Sequence, residues 1–304
     1  VTSRHLALVG TTASGKSALA LDLARRHRDI ELVSIDSMQV YRGMDIGTAK
    51  PTPDEQAEVP HHLIDLVEPN EDFTVARFQR AFDDALAAIE ARGHRAVLVG
   101  GTGLYLRAAV DRLAIPGQFP DARRALDDEP TDVLHDRLRE LDPIGATRMT
   151  ASNRRRIVRA LEVTIGSGRP FSSFGPGLEA YPPTPFRLVG ITLPAEVVAA
   201  RIAERYRRQL EAGFVDEVHR LLARPGGLSR TASQALGYKE LAAHVAGDVT
   251  LDDAVDRAVR RTRQFARRQR AWFRRDPRIE WLEAPSDPLE IRLQLEQIVA
   301  GEAS

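Results

Sequence analysis

The sequence predicts an α/β protein: a parallel sheet flanked by helices on both faces, interrupted by an inserted and mostly helical subdomain. Three observations point there. Apolar runs of strand length alternate with amphipathic helical segments over residues 1–113 and resume at 186. A glycine-rich loop follows the first of these runs directly. Between 114 and 185 the alternation stops, and helical patches mix with a Pro/Gly/Ser-rich stretch.

HLALVG (5–10) reads as a short buried strand, and residues 16–27 as a helix carrying Leu19, Leu21, Leu23 and Ala24. ELVSID (31–36) is a second strand, ending on a carboxylate, and HLIDLV (62–67) a candidate third. FTVARFQRAFDDALAAIEARG (73–93) has helical period and closes on Gly93. RAVLVGG (95–101) is a buried strand, followed by a helix over 102–113. Within 114–185, VLHDRLREL (133–141) and RRIVRALEV (155–163) are helical, and 166–185 forms a mobile rim. FRLVGITL (186–193) returns to the sheet, and 194–275 is helical. IEWLEA (279–284) is a last strand, and 288–299 a closing helix.

The loop after the first strand is GTTASGKS, residues 10–17. Gly10, Gly15, Lys16 and Ser17 match G-x-x-x-x-G-K-[ST], and the strand before and helix after supply the context that motif requires. The architecture is therefore P-loop NTPase-like. Across Gly10, Thr11, Thr12, Ala13, Ser14 and Gly15, successive N–H groups turn inward toward phosphate oxygens, and the next helix adds its positive end. Lys16 supplies a point charge, and the Ser17 hydroxyl can ligate Mg²⁺. A plain glycine-rich turn is the bland alternative.

The loop does not by itself specify an ATPase. A phosphoryl-transfer enzyme usually ends a second buried strand on an Asp that holds Mg²⁺, whereas AVLVGG ends on Gly100-Gly101-Thr102. The carboxylate closing a strand is Asp36, at the head of DSMQVYRGMDIGTAKP (36–51). It is open to three readings: Mg²⁺ partner, general base, or cap of the following turn.

Composition narrows the class further. The 304 residues include no cysteine, which excludes disulfides, thiolate zinc sites and a cysteine nucleophile. No apolar run approaches the roughly 18 residues of a membrane span. The VTSRHLALVG start lacks a signal-peptide layout, so a cytoplasmic location is expected. The 43 basic residues balance 43 acidic ones, but the charge is sorted. Residues 52–90 carry ten acids and two bases; residues 257–278 carry ten arginines and one acid.

On a helical wheel of 255–275, Ala258, Val259, Phe265, Ala266, Trp272 and Phe273 share one arc. Arg257, Arg260, Arg261, Arg263, Arg267, Arg268, Arg270, Arg274 and Arg275 fill the other. That face is a track for a nucleic-acid backbone, or a solvated face paired with acidic segments. A second cluster, NRRRIVR (153–159), favours a large polyanion as substrate. His61 and His62 lack metal-ligand spacing and read as structural; Tyr41 and Tyr105 could line a pocket but read more naturally as core.

GTTASGKS, SIDSMQVYRGMDIGTAKP, LVGGTGLYLRA, NRRRIVRALEV, QALGYKEL and TRQFARRQRAWFR occur in that order. The set resembles the bacterial tRNA dimethylallyltransferases, also called tRNA isopentenyltransferases, over about residues 6–283. The resemblance implies transfer of a dimethylallyl group from dimethylallyl diphosphate to the exocyclic amine of the adenosine just 3′ of the anticodon, with Mg²⁺. It gives Asp36 the amine proton, and the loop 10–17 the diphosphate. Lys16, Ser17 and Thr102 join Asp36 in the catalytic set. Asp36, Ser37, Met38, Gln39 and Thr102 then meet the target base. Arg155, Arg156 and Arg159 of the insert grip the anticodon stem-loop, and Gln234, Gly237, Tyr238 and Lys239 form a further tRNA segment, with Arg261 and Arg268 on the basic helix. The adenosine leaves its stack to reach the donor. A monomer is expected, since tRNA wraps one channel. Thr11 stands where the family usually has Pro, and the absence of cysteine excludes the thiolate zinc finger of some eukaryotic relatives. The competing readings are an ATP-dependent P-loop kinase, with Asp36 on Mg²⁺ or as base, and a non-catalytic RNA binder.

Overall fold

The computed structural model describes residues 5–301. β1 (His5–Gly10) is buried along its whole length and runs through the phosphate loop into α1 (Lys16–Arg26). β2 (Ile30–Ser34), α2 (Pro53–Glu58), β3 (His61–His62) and α3 (Val75–Ala91) follow, then β4 (Arg95–Gly100) and α4 (Gly103–Val110). The insert carries α5 (Pro120–Arg124), α6 (Thr131–Leu141), α7 (Pro143–Thr147) and α8 (Arg154–Ser167). β5 (Phe186–Thr192) leads into α9 (Ala195–Glu211), α10 (Phe214–Leu222), α11 (Tyr238–Val245) and α12 (Leu251–Phe273). β6 (Ile279–Glu283) and α13 (Arg292–Ala300) close the described chain.

The strands form one six-stranded sheet in the order β3-β2-β4-β1-β5-β6, and every pairing is parallel. A parallel sheet needs crossover helices on its faces, so its central strands are covered on both sides and read as unbroken apolar runs. LALV of β1, AVL of β4 and LVGI of β5 are such runs, all buried. β1 lies between β4 and β5, which brings the loops after β1, β2 and β4 to the same edge of the sheet.

The chain divides into two compact units, Val1–Asp111 with Pro183–Ser304, and Arg112–Pro182. The second unit has its own core, built from Leu126, Leu134, Leu138, Ala146, Ile157, Val158, Ala160 and Leu161. Asp142 organises it by capping Gly145 N at 2.9 Å and holding Ser172 through its backbone and hydroxyl at 2.8 and 2.6 Å. Arg154 donates to the carbonyls of Leu126, Asp127 and Glu129 at the end of α5.

Three local expectations are corrected. The 62–67 strand shrinks to His61–His62, because Leu63 and Asp65 take left-handed φ of 63° and 53°. Lys50 pulls the Asp65 carboxylate to 2.6 Å, which requires that turn. The second strand ends at Ser34, and Asp36 lies beyond it in a turn where its Oδ1 accepts Met38 N at 2.8 Å. The closing helix over 288–299 divides into a 3₁₀ turn, Pro288–Ile291, and α13.

At the other end of β2, Glu31 is 2% exposed. Arg92 donates to it at 2.8 and 2.7 Å, and His62 and His94 hydrogen-bond it at 2.6 and 2.8 Å. Burial pushes the Glu31 carboxyl up, but the hydrogen bonds from Arg92, His62 and His94 prevail and hold it at about 2 against an ordinary 4.5. A depressed carboxyl contributes stability that is complete above its unfolded pKa and disappears as pH falls through the folded one. Acid titration of the fold should therefore lose this contribution between pH 4.5 and about 2. Glu31→Gln should lower stability at neutral pH and remove this acid-dependent loss, since it replaces the charge that Arg92, His62 and His94 hydrogen-bond; thermal and urea unfolding measure both.

Candidate active site

At the end of β1 the chain turns through Ala13 and Gly15 at left-handed φ of 61° and 81°; Thr12 N is taken by Gln269 Oε1 and Ser14 N by Thr11 O at 3.2 Å, so these two N–H groups do not turn inward as expected. Gly15 cannot carry a side chain for a second reason: a Cβ there would lie 2.1 Å from Cγ of Pro288. Lys16 opens α1 and its Nζ donates to Thr11 O at 3.1 Å, while Ser17 is exposed beside it.

Two arginines four residues apart on α9 complete this wall. Arg201 donates to Ala13 O at 3.0 Å, and Arg205 reaches Thr12 Oγ1 at 3.3 Å and Gly47 O at 3.0 Å. Lys16, Ser17, Arg201, Arg205 and Arg208 border an open cleft of about 910 Å³, with Ile46 and Ala49 among its apolar walls. Burial lowers the Lys16 ammonium from 10.5 to about 8; the Asp36 charge opposes this and the neighbouring Arg205 adds to it. Burial likewise lowers Arg205, against the pull of Tyr206 and Asp36. The site therefore holds cationic groups in excess of their nearby anions, which a polyanionic ligand would correct.

Asp36, Ser37 and Thr102 come together at the adjacent strand ends. Ser37 N donates to Thr102 Oγ1 at 3.2 Å, and the two hydroxyls lie 3.4 Å apart. Asp36 is half-buried, and its charge reaches Lys16, Arg205 and Tyr105. Gln39 is bound to Ser34 Oγ at 2.8 Å and Ala49 O at 3.1 Å, so it fixes its own loop. Met38 is half-buried.

α12 packs through Ala254, Ala258, Thr262, Ala266, Gln269 and Phe273, a stripe offset from the expected arc. Val259, Phe265 and Trp272 are half-buried at its edge. The polar member, Gln269, is 6% exposed because both ends of its amide are used: Thr12 N donates to its Oε1 at 2.8 Å, and its Nε2 donates to Gly101 O at 2.8 Å. Arg257, Arg260, Arg263, Arg267, Arg268, Arg274 and Arg275 are exposed. Arg261 is bound to the buried Glu240 carboxylate, and Arg270 to Leu193 O at 2.7 Å. Together with Lys239, Arg257 and Arg260, Arg261 borders a groove of about 310 Å³ between α11 and α12.

In the 234–239 segment, Gln234 and Lys239 are exposed, whereas Gly237 and Tyr238 are buried. Tyr238 is correctly a core residue rather than a surface contact: its ring meets Phe214 edge-on at 4.9 Å, and its hydroxyl donates to Glu217 at 2.6 Å. Within the insert, Arg155 and Arg156 are exposed on α8, and Arg159 is bound to Glu162 at 2.6 Å and Pro116 O at 2.8 Å. Tyr41 and Tyr105 are buried, 1% and 6% exposed, as core. His61 bonds to Val59 O at 2.7 Å, and among the described residues no group of three or more His, Asp or Glu is arranged to hold a metal.

The sequence reading missed Arg201, Arg205 and Gln269. The arginine pair carried a signal, since residues at i and i+4 of a helix share a face. Gln269 was masked by the arginines on either side.

A family model described as IPP transferase matches residues 39–276, and one described as Isopentenyl transferase matches residues 4–72. A tRNA dimethylallyltransferase of Kineococcus radiotolerans is 49% identical over 300 residues, covering 94% of this chain and 93% of that protein. One from a Nocardioides species is 47% identical over 281 residues, covering 91% and 90%. Among solved structures, the full-length tRNA isopentenylpyrophosphate transferase of Bacillus halodurans superposes with a TM-score of 0.71 at 35% identity, covering 99% of this chain and 96% of that one. A eukaryotic dimethylallyltransferase acting on tRNA gives 0.80 at 25% identity, covering 98% and 80%.

The Lys16 environment has a measurable consequence. A bound diphosphate favours the charged ammonium, so affinity is complete below about 8 and falls as pH rises above it. For an organic diphosphate whose own charge is constant above neutrality, Kd should weaken up to about tenfold per pH unit there. Lys16→Met should bind weakly at every pH and lose that slope.

Proposed function

The chain belongs to the IPP transferase family, the tRNA dimethylallyltransferases, and from that premise we propose that it moves a dimethylallyl group from dimethylallyl diphosphate to the exocyclic amine of the adenosine 3′ of the tRNA anticodon, with residues 10–17 holding the donor's diphosphate. One observation carries the assignment of the loop to a leaving group rather than to a transferred phosphoryl. β4, the neighbour of β1, ends on Gly100-Gly101-Thr102 where a phosphoryl-transfer enzyme places its metal-binding carboxylate. The hydroxyl of Thr102 instead receives Ser37 N, beside Asp36.

The chemistry follows from the charges. As the allylic C–O bond breaks, negative charge collects on the diphosphate, and Lys16, Arg201 and Arg205, which border the cleft, offset it. The amine nitrogen bonds to the allylic carbon, and its proton passes to the Asp36 carboxylate. The proton becomes strongly acidic only as that bond forms, so a positioned carboxylate suffices. Ser17, exposed at the loop, is the residue that would hold Mg²⁺. Its single neutral oxygen, without a surrounding carboxylate cluster, fits a hard cation that takes its other ligands from diphosphate and water. When bound, Mg²⁺ supplies further charge for the departing diphosphate.

For the acceptor, the exposed arginines of α12 and the groove beside Lys239 form a phosphate-binding face. Arg155 and Arg156 of the insert are directed to the anticodon stem-loop, and Gln234 and Lys239 to another part of the same tRNA. Ser37 and Met38 meet the extruded base. The enzyme acts as a monomer in the cytoplasm; no helix among the described residues is long and apolar enough to cross a membrane.

The deciding assay combines purified protein, Mg²⁺, labelled dimethylallyl diphosphate and unmodified anticodon hairpin, without ATP. Alkylated adenine by mass spectrometry is the expected product; no alkylation here, with ATP consumed in a parallel reaction to which it is added, would refute the assignment. Asp36→Ala should lower turnover about 10²–10⁴-fold while hairpin affinity stays within a few fold. Each Arg→Ala change at Arg260 or Arg268 should reduce the slope of log K against log salt by about one.

A further inference from the structure

Glu217 of α10 is 3% exposed and is not among the side chains bordering the cleft. Its carboxylate nevertheless accepts four hydrogen bonds from two other parts of the chain. Oε2 takes Asp45 N at 3.0 Å and Ile46 N at 2.8 Å; Oε1 takes Gly47 N at 3.2 Å and the Tyr238 hydroxyl at 2.6 Å. Three consecutive N–H groups converging on one anion make a nest, the device proteins use to bind phosphate. Here the anion is the protein's own, and four donors offset the cost of burying it.

The Ile46 carbonyl shares its peptide with the Gly47 N–H and so faces away from Glu217, and the Gly47 carbonyl belongs to the next peptide of the same turn. Gln209 Nε2 donates to both carbonyls, at 2.6 and 3.1 Å. Gly47 O also receives Arg205 at 3.0 Å, and the other terminal nitrogen of that guanidinium reaches Thr12 Oγ1 at 3.3 Å. The turn lies close against the core, where only glycine fits: a Cβ on Gly47 would lie 2.3 Å from the Phe214 ring and 2.5 Å from that of Tyr238. Asp45 and Ile46 border the cleft directly.

We infer that Glu217 is a positioning residue for the donor: it sets the 45–47 turn, and through the Gly47 carbonyl it holds the Arg205 guanidinium against the phosphate loop. The inference rests on the reading of the cleft as the diphosphate site. Tyr238 gives it a second consequence, since the exposed Gln234 and Lys239 belong to the segment that this phenol anchors to the donor wall.

The test uses full-length protein and inorganic diphosphate with Mg²⁺ in titration calorimetry, beside the KM for dimethylallyl diphosphate. Glu217→Gln offers one acceptor oxygen where the turn needs two, and sets an amide against a backbone N–H. Diphosphate Kd and donor KM should both rise about tenfold, the loss of one charge-assisted contact. A residue that only supports the fold would lower the melting temperature and the fraction of competent sites but leave Kd unchanged, and that result overturns the inference. Tyr238→Phe keeps the ring packing and removes one donor; a Kd raised about threefold supports the role even if Glu217→Gln fails to fold, and an unchanged Kd counts against it. Wild-type protein that binds no diphosphate overturns both this inference and the function it rests on. Wild-type binding matched by both variants overturns this inference alone.

Discussion

One buried amide holds the site together. Gln269 takes Thr12 N with one end and gives a hydrogen bond to Gly101 O with the other. The first belongs to the loop after β1, the second to the loop after β4. Parallel strands bring these loops to a common edge but do not join them, because the ladder hydrogen bonds stop at the strand ends. Without a bridge, each loop would settle independently. Gly101 has no side chain to admit that bridge: a Cβ there would sit 2.1 Å from Gln269 Nε2. The bridge comes from α12, the helix whose opposite face carries the exposed arginines. A single helix thus ties the loops after β1 and β4 on one side and presents cations on the other.

Much of the fold was legible because the signals that specify it are local. The buried runs of β1, β4 and β5 are too apolar for anything but a covered strand, and the phosphate loop has fixed spacing. Where the sequence reading failed, distant partners decide the local structure. HLIDLV has the composition of a strand, yet Lys50 draws Asp65 aside and the chain turns at Leu63. Tyr238 sits in a polar neighbourhood of sequence, yet Phe214 and Glu217 take it into the core.

The candidate site divides the same way. Lys16, Ser17, Asp36 and Thr102 stand in short motifs whose chemistry can be read one residue at a time. Arg201 and Arg205 lie in a stretch, RIAERYRRQL, that resembles any charged surface helix. Their partners are backbone carbonyls of loops far away in sequence, and a carbonyl leaves no trace in residue identity. Gln269 and Glu217 are hidden for the same reason, since all five groups that they engage in the loops are main-chain, four N–H groups and the Gly101 carbonyl.

Pro288 rests on Gly15, so the two ends of the described chain share one small surface. During synthesis the loop that begins at residue 10 leaves the ribosome long before the turn that covers it. Until β6 has paired with β5 and carried Pro288 into place, Gly15 lacks the neighbour that forbids it a side chain. The final packing of this loop is thereby a late event in the life of the polypeptide, although the loop is among the first parts to be made.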